Sequence, residues 1–113
     1  MQLTVPVTHS GDYTLQASDA FALIQMNSAI VHDLNIPLDS SVNFLVGTQI
    51  DVIATGGAGL TTIQAATPGT DPTGTVVLSK GTTPSEPAIK YQYGQATLFK
   101  FAANSWYVTG DIQ

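Results

Sequence analysis

The sequence predicts a single all-β domain over residues 1–113, an antiparallel β-sandwich of jelly-roll type. Three observations predict it. Apolar and polar residues alternate with the two-residue period of strands in several segments. Turns separate these segments, because 10 glycines and 6 prolines punctuate the chain. Hydrophobic residues make up 43% of the chain and charged residues only 10%, a balance typical of a folded domain rather than of a disordered one.

The first residues predict an edge strand over residues 1–8. Leu3 and Val5 fall on one face and alternate with polar residues. Pro6 has no backbone N–H, which restricts this strand to the edge of a sheet or to a bulge. An edge strand can add to the sheet of a neighbouring protein. We therefore expect a docking segment here, with Gln2, Leu3 and Val5 as candidate partner-binding residues.

The following segments alternate in the same way, with one ambiguity. In residues 17–27, Ser18 or Asp19 caps one helical turn before a strand over residues 23–27, or the segment contains no helix. Residues 30–36 alternate without ambiguity and predict a strand that places every second side chain on one face. Pro37 ends that strand.

The centre of the chain predicts a hairpin and then a long loop. Residues 48–55 and 60–65 read as two strands joined by the glycine-rich turn at residues 56–59. Residues 66–87 are rich in Thr, Pro and Gly and predict a long loop, which carries one short strand at residues 76–78.

Three further strands are predicted near the end of the chain. They cover residues 88–93, 95–101 and 105–109, with Gly94 and a short Ala-Ala-Asn turn between them. Eight to ten short strands at regular spacing are typical of sandwiches and jelly rolls.

The residue types needed for catalysis do not converge in this sequence. His32 is followed by Asp33, but neighbours on a strand point to opposite faces, so His32 is predicted to be a partly buried structural histidine. Residues 56–59 follow a strand as a phosphate loop would, yet they lack the Lys and Ser or Thr of that motif. His9 and Asp12 are the only His and carboxylate pair close together in a turn, too few ligands for a metal. We predict no enzyme, no cofactor and no metal.

Charge and hydropathy also exclude two classes of partner. The chain has three lysines, no arginine and a net charge of -5, so it lacks the positive surface that phosphate binding requires. No apolar run is long enough for a membrane-spanning helix, and no signal peptide is evident at the N-terminus. Neither nucleic acid nor a membrane is expected as a partner.

Aromatic residues crowd the last quarter of the chain. Tyr91 and Tyr93 are predicted to share one face of a strand, as are Phe99 and Phe101, so each pair is expected inside the domain or between subunits. Exposed aromatic rings carry much of the energy at protein interfaces and stack on sugars. Tyr91, Tyr93 and Trp106 are therefore candidate partner-binding residues.

Two short motifs are the most specific part of a wider sequence pattern. They are Phe44-x-x-Gly47-Thr48-x-Ile50 and the closing Trp106-x-x-x-Gly110-Asp111. With the segments at residues 13–15, 34–37 and 91–100, they resemble a β-rich module of tailed-bacteriophage virion proteins over residues 8–112. One departure is the loop at residues 67–87, which is longer than the usual connection and is expected to contact a neighbour or the medium.

The resemblance implies a structural role in a virion. Members of that family occur at the ends of tail or head fibres and as small decorating proteins, typically as trimers. The chain begins at Met1 and shows no shaft or coiled-coil heptads, so we expect a subunit that docks on an existing surface. The predicted function is that of a non-enzymatic capsid decoration protein, of cement or head-fibre type, which binds the major capsid protein or another virion protein as a homotrimer. Its predicted location is the virion surface, after synthesis in the host cytoplasm.

Two alternatives stay open at this point. The chain could be a fibre-tip module that recognises a host cell-surface glycan through Trp106, Tyr107 or the face of Tyr91 and Tyr93. A glycan-processing enzyme is less favoured, because the sequence offers no facing pair of carboxylates.

Overall fold

The computed structural model describes residues 7–56, 61–79 and 87–112. These residues are all-β, apart from a single 3-10 turn over Ala17–Asp19. The chain forms a flattened body of 36 × 35 × 20 Å, as expected for two stacked sheets. In chain order the strands are β1 (Val7–His9), β2 (Tyr13–Thr14), β3 (Leu23–Met26), β4 (His32–Ile36), β5 (Gln49–Ala54), β6 (Thr61–Ala65), β7 (Val76–Ser79), β8 (Ala88–Ile89), β9 (Gln95–Ala102) and β10 (Ser105–Gly110).

The strands form two sheets, each containing both parallel and antiparallel pairs. One sheet has six strands in the order β1-β3-β5-β9-β10-β7, and the other has four in the order β2-β4-β6-β8. Strands β1 to β8 alternate between the two sheets, and up to β6 the chain winds as a flat coil with parallel neighbours in each layer. Strand β8 is antiparallel to β6. The last strands reverse this order, because β9 runs antiparallel to both β5 and β10.

The prediction of an all-β sandwich-like domain is confirmed, but its antiparallel arrangement is wrong. Among the described strands, five pairs are parallel and three are antiparallel. The predicted hairpin of residues 48–55 and 60–65 is also wrong, since β5 pairs with β3 and β9 while β6 pairs with β4 and β8. A strand with one buried face has the same alternating pattern whether its partner is parallel or antiparallel.

Gly56 explains why the glycine-rich segment does not mark a hairpin. A Cβ atom at Gly56 would lie 2.1 Å from the backbone oxygen of Ser28. Ser28 lies in the connection from β3 to β4, and Gly56 lies in the connection from β5 to β6. Glycine is therefore needed where two successive turns of the coil touch. Residues 57–59 of the predicted turn lie outside the described residues.

Several predicted elements are present in the structure. β4 and β5 alternate as predicted, with every second residue buried. The ambiguous segment contains one 3-10 turn, but its predicted cap, Ser18 or Asp19, is wrong: Gln16 is the N-cap, and the carboxylate of Asp19 accepts the Gln16 N–H at 2.7 Å. A short strand, β7, crosses the predicted loop of residues 66–87, of which residues 80–86 lie outside the described residues.

The hydrophobic core lies between the two sheets. Trp106 is 1% exposed and meets Phe44 edge-on, with ring centroids 5.5 Å apart. The described strands contribute aliphatic side chains from both layers, among them Ile24, Met26, Leu34, Ile36, Ile50, Val52, Ile63, Ile89, Leu98 and Val108. Burial of each such side chain contributes about 1.5–3 kcal/mol.

A lysine occupies the inner face of β9. The Lys100 side chain is 1% exposed, and its ammonium group lies 2.8 Å from a carboxylate oxygen of Asp39. The same group donates a hydrogen bond to the backbone oxygen of Phe44. Buried charges need such partners, because an unpaired ion inside a protein costs several kcal/mol.

Asn104 extends this ion pair into a network. Its backbone N–H donates to Asp39 at 3.0 Å, and its side-chain oxygen accepts the Asp39 N–H at 2.7 Å. Its side-chain amide donates to Asp71 at 2.7 Å. Asn104 has a φ of 48°, a left-handed conformation that asparagine tolerates in the tight turn between β9 and β10. The network ties this turn to two distant connections.

Replacing the buried lysine should destabilise the fold. Lys100→Met keeps much of the volume but leaves Asp39 without its cation, so we expect the free energy of unfolding to fall by about 2–4 kcal/mol. Urea denaturation followed by tryptophan fluorescence measures the change. The matched control is Lys90→Met at an exposed lysine, for which we expect a change within about 0.5 kcal/mol. Equal effects of the two substitutions would contradict the role of the network.

A second polar cluster lies at the start of the chain. The Tyr13 hydroxyl donates to the buried carboxylate of Asp19 at 2.6 Å, and the His9 ring stacks on Tyr13 with centroids 3.5 Å apart. Burial, and then the hydrogen bond to Asp19 and its negative charge, raise the pKa of Tyr13 well above the ordinary tyrosine value. The folded protein therefore holds this tyrosine neutral.

This cluster makes stability sensitive to alkaline pH. Above about pH 10 the tyrosine ionises in the unfolded chain but not in the folded one, so the stability that Tyr13 contributes declines as pH rises. We expect the urea midpoint to fall between pH 9 and pH 11, and to fall less steeply in Tyr13→Phe, which has no ionisable hydroxyl. The same slope in both proteins would assign the alkaline loss to other groups.

Candidate functional site

The predicted N-terminal docking residues cannot be placed. Gln2, Leu3 and Val5 lie outside the described residues. The described part of that segment, β1, pairs with β3 at one end of the six-stranded order. The prediction of an edge position therefore agrees with the structure as far as β1 is described.

Trp106 is not a surface residue. It faces inward on β10, pairs in register with Lys100 and is 1% exposed. The prediction that its ring meets a partner is therefore wrong. On β10 the outward position next to it belongs to Tyr107, which is 45% exposed. Alternation along the strand allows only one of these two neighbouring rings to reach the surface.

Tyr91 and Tyr93 are exposed, but they do not lie on a strand. Strand β8 ends at Ile89, and both tyrosines lie in the turn that leads to β9. The predicted shared strand face is therefore wrong, although the rings remain accessible at 71% and 66% exposure. Within this turn, the Gly94 N–H donates to the Tyr91 oxygen at 3.0 Å.

Tyr93 has a strained backbone. Its φ is 65°, which is unusual for a bulky residue. Two main-chain hydrogen bonds with Ala54 hold the turn in place. The Tyr93 N–H donates to the Ala54 oxygen at 2.6 Å, and the Ala54 N–H donates to the Gly94 oxygen at 3.0 Å. A backbone in this region costs of order 1–3 kcal/mol, and such strain concentrates at functional sites.

A cleft opens beside these two rings. Its volume is about 490 Å³, which lies within the range of small-molecule sites. Lys90 and Asp111 line it together with the two tyrosines, so it contains one positive and one negative side chain. Asp111 is anchored, because its carboxylate accepts the Gln95 N–H at 3.2 Å. We call this the tyrosine cleft.

A second aromatic surface lies on the outer face of the six-stranded sheet. In register, Phe99 of β9 pairs with Tyr107 of β10, and Tyr107 pairs with Leu78 of β7. Their side chains are 39%, 45% and 42% exposed. Adjacent strands lie about 4.8 Å apart, so the three form a continuous row across the sheet. We call this the outer aromatic row.

Neighbouring residues widen this surface. Phe101 stacks on Tyr107, with ring centroids 4.0 Å apart and an interplanar angle of 20°. Phe21 is 67% exposed, and its backbone N–H donates to Gln49, the register partner of Phe99 on β5. The spacing of Phe99 and Phe101 indicated one shared face from sequence. Only the strand register shows that this face is on the outside of the sheet. The register also shows that Leu78 and Phe21 belong to the same surface.

The two histidines serve local structure. His32 is 3% exposed; its Nδ1 contacts the Ile30 oxygen at 2.9 Å and its Nε2 contacts the Thr61 hydroxyl at 2.9 Å. The prediction of a buried structural histidine agrees with this geometry. Asp12, which is near His9 in sequence, accepts the Asp33 N–H at 2.8 Å.

Within residues 7–56, 61–79 and 87–112, no group of three or more His, Cys, Asp or Glu side chains could hold a metal ion. In the same part of the chain, no helix has the length and apolar character needed to cross a bilayer.

Comparison with protein-family models, with curated proteins and with solved structures found no match to this chain.

Relieving the strain at Tyr93 should stabilise the protein. Glycine adopts a positive φ without a steric penalty, so we expect Tyr93→Gly to raise the free energy of unfolding by about 1 kcal/mol. The control is Tyr91→Gly in the same turn, at a residue without a positive φ, where added chain entropy should lower stability by about 0.5–1 kcal/mol. Thermal and urea unfolding measure both. A loss of stability in Tyr93→Gly would show that the ring contributes more to folding than the strain costs.

Proposed function

We propose that this protein is a non-enzymatic structural component of a tailed-bacteriophage virion. In this proposal it is a capsid decoration protein, of cement or head-fibre type, that binds the shell as a homotrimer and stabilises it. Two observations support the proposal: the sequence resemblance described above and the outer aromatic row. The row carries the argument, because it is an apolar surface with no covering element among the described residues.

The shape of the molecule suits a docking role. A stable protein interface buries roughly 800 Å² on each partner. The flattened body measures 36 × 35 Å in its broad plane, so one face is large enough for such a contact. Phe99, Tyr107 and Leu78 lie side by side on that face, which places aromatic anchors of the kind that dominate interface energies.

The polar residues of the same face add little cost to burial. Among its described strand positions, the one charged side chain is Asp51, whose carboxylate accepts the Thr97 hydroxyl at 2.8 Å. The other polar positions carry Thr and Gln, including Thr8, Gln25, Gln49, Gln95 and Thr109. Removing an uncharged side chain from water costs much less than removing an ion, provided its hydrogen bonds are replaced.

We assign the outer aromatic row to contacts between identical copies and the N-terminal edge to the shell. Strand β1 lies at one end of the six-stranded sheet, where unpaired main-chain groups can accept another strand. The two contacts use different parts of one sheet, so a trimer can form and bind a capsid protein together. Bridging between capsid subunits would then stabilise the shell.

The oligomeric state tests this assignment directly. We expect the double variant Phe99→Ser and Tyr107→Ser to shift the protein from trimer to monomer and to lower its occupancy on capsids at least tenfold. Light scattering after gel filtration and co-sedimentation with capsids measure the two effects. Circular dichroism checks that the variant is folded.

The matched control lies on the same face, at the other end of the same strands. Gln95→Ser and Thr109→Ser also change one exposed side chain on β9 and one on β10, and should leave the trimer and its capsid binding intact. A wild-type protein that is monomeric at high concentration, or a trimer unaffected by the loss of both rings, would refute the proposal.

A further inference from the structure

We propose that the tyrosine cleft binds a neutral saccharide. This inference does not depend on the outer aromatic row or on the capsid role. It rests on three features of the cleft: two exposed rings, a strained turn that presents one of them, and a polar lining whose charges balance.

The rings provide an apolar surface for one face of a sugar. Tyr91 and Tyr93 are the most exposed aromatic side chains of the described C-terminal third, at 71% and 66% exposure. Aromatic side chains combine a large apolar surface with, for tyrosine, a hydroxyl that can bond to a wet partner. A pyranose has the complementary chemistry, because C–H groups cover its faces and hydroxyls surround its edge.

The strained turn indicates that the position of the ring matters. The φ of 65° at Tyr93 is unfavourable for tyrosine, and glycine would occupy the same backbone without strain. The exposed ring recovers little of that cost by packing, since 66% of the residue is open to solvent. Strain without a folding benefit is typical of ligand-binding positions.

The polar lining selects the class of sugar. Lys90 and Asp111 both line the cleft, so it carries one charge of each sign and offers both a donor and an acceptor. The chain as a whole has a net charge of -5, which disfavours the approach of an anionic sugar. The lining therefore favours a neutral hexose or a neutral amino sugar over a sialylated or phosphorylated glycan.

The location of the cleft keeps it open during assembly. It lies where β9 begins and β10 ends, whereas the outer aromatic row crosses β9 at Phe99. Phe99 lies four positions after Gln95, roughly 13 Å along a strand. A copy packed on the row can therefore leave the tyrosine cleft facing the medium.

Saturation-transfer NMR on the full chain tests the proposal. The probes are D-glucose, D-galactose, D-mannose and N-acetylglucosamine, with N-acetylneuraminic acid as an anionic comparison. We expect transfer to the ring protons of at least one neutral probe, reduced about tenfold in Tyr91→Ala. The control Leu45→Ala shortens a side chain that is 79% exposed and belongs to neither aromatic surface, so it should leave the transfer unchanged. Tyr91→Phe, which keeps the ring, should retain most of it.

Several results would overturn the inference. These are transfer to none of the neutral probes, stronger transfer to N-acetylneuraminic acid than to any neutral probe, and equal loss in Tyr91→Ala and Leu45→Ala. Binding of a proline-rich peptide in place of the sugars would assign the rings to protein recognition and would also overturn it. Trimer mass and capsid binding, measured on the same samples, report the proposed function separately.

Discussion

The buried ion pair of Lys100 and Asp39 constrains much of this small fold. Because Lys100 faces inward, its cation must be matched inside the sandwich, and Asp39 and the Phe44 oxygen do so from the connection between β4 and β5. Asn104 holds the same carboxylate from the β9–β10 turn. The connection from β4 to β5, which begins at Pro37, is thereby fixed against the turn between β9 and β10. The backbone of Lys100 completes the arrangement, since its oxygen accepts the Gly47 N–H at 2.8 Å.

The lysine also determines which face of β9 carries aromatic rings. Side chains alternate along the strand, so an inward Lys100 places Phe99 and Phe101 outward. A sheet built only for burial would have the opposite arrangement, with rings inside and the cation in water. The cost of enclosing a charge is offset by its hydrogen bonds, while the exposed rings gain nothing comparable in the isolated chain. This inversion is the physical reason to treat the outer face as a surface that another molecule covers.

The sequence predicts strand positions well and strand neighbours poorly. Alternation located β4 and β5 and placed His32 inside, because a two-residue period reports burial directly. The same alternation cannot show that the chain crosses from one sheet to the other between β5 and β6, because the strands of both sheets bury one face in the same way. The contact of Gly56 with Ser28 joins positions 28 residues apart, and glycine there resembles a turn residue. A cluster of aromatic residues in the sequence does not tell which rings are buried, whereas the register with Lys100 places Trp106 on the inner face of its sheet.

The two aromatic surfaces differ in how the fold supports them, and this separates their roles. Phe99 and Tyr107 are carried by two regular strands whose paired backbones hold them on a broad, nearly uncharged face. Such a face suits a large and equally flat partner, because shape complementarity extends over many residues. Tyr93 is carried instead by a strained turn fixed through Ala54, beside an open cleft lined by one positive and one negative side chain. Local precision of that kind suits a small ligand, whose few polar groups must each meet a fixed partner. Under the two proposals, one chain of 113 residues would use a sheet face for assembly and a turn for recognition, and the strand length between them would allow both to be occupied at once.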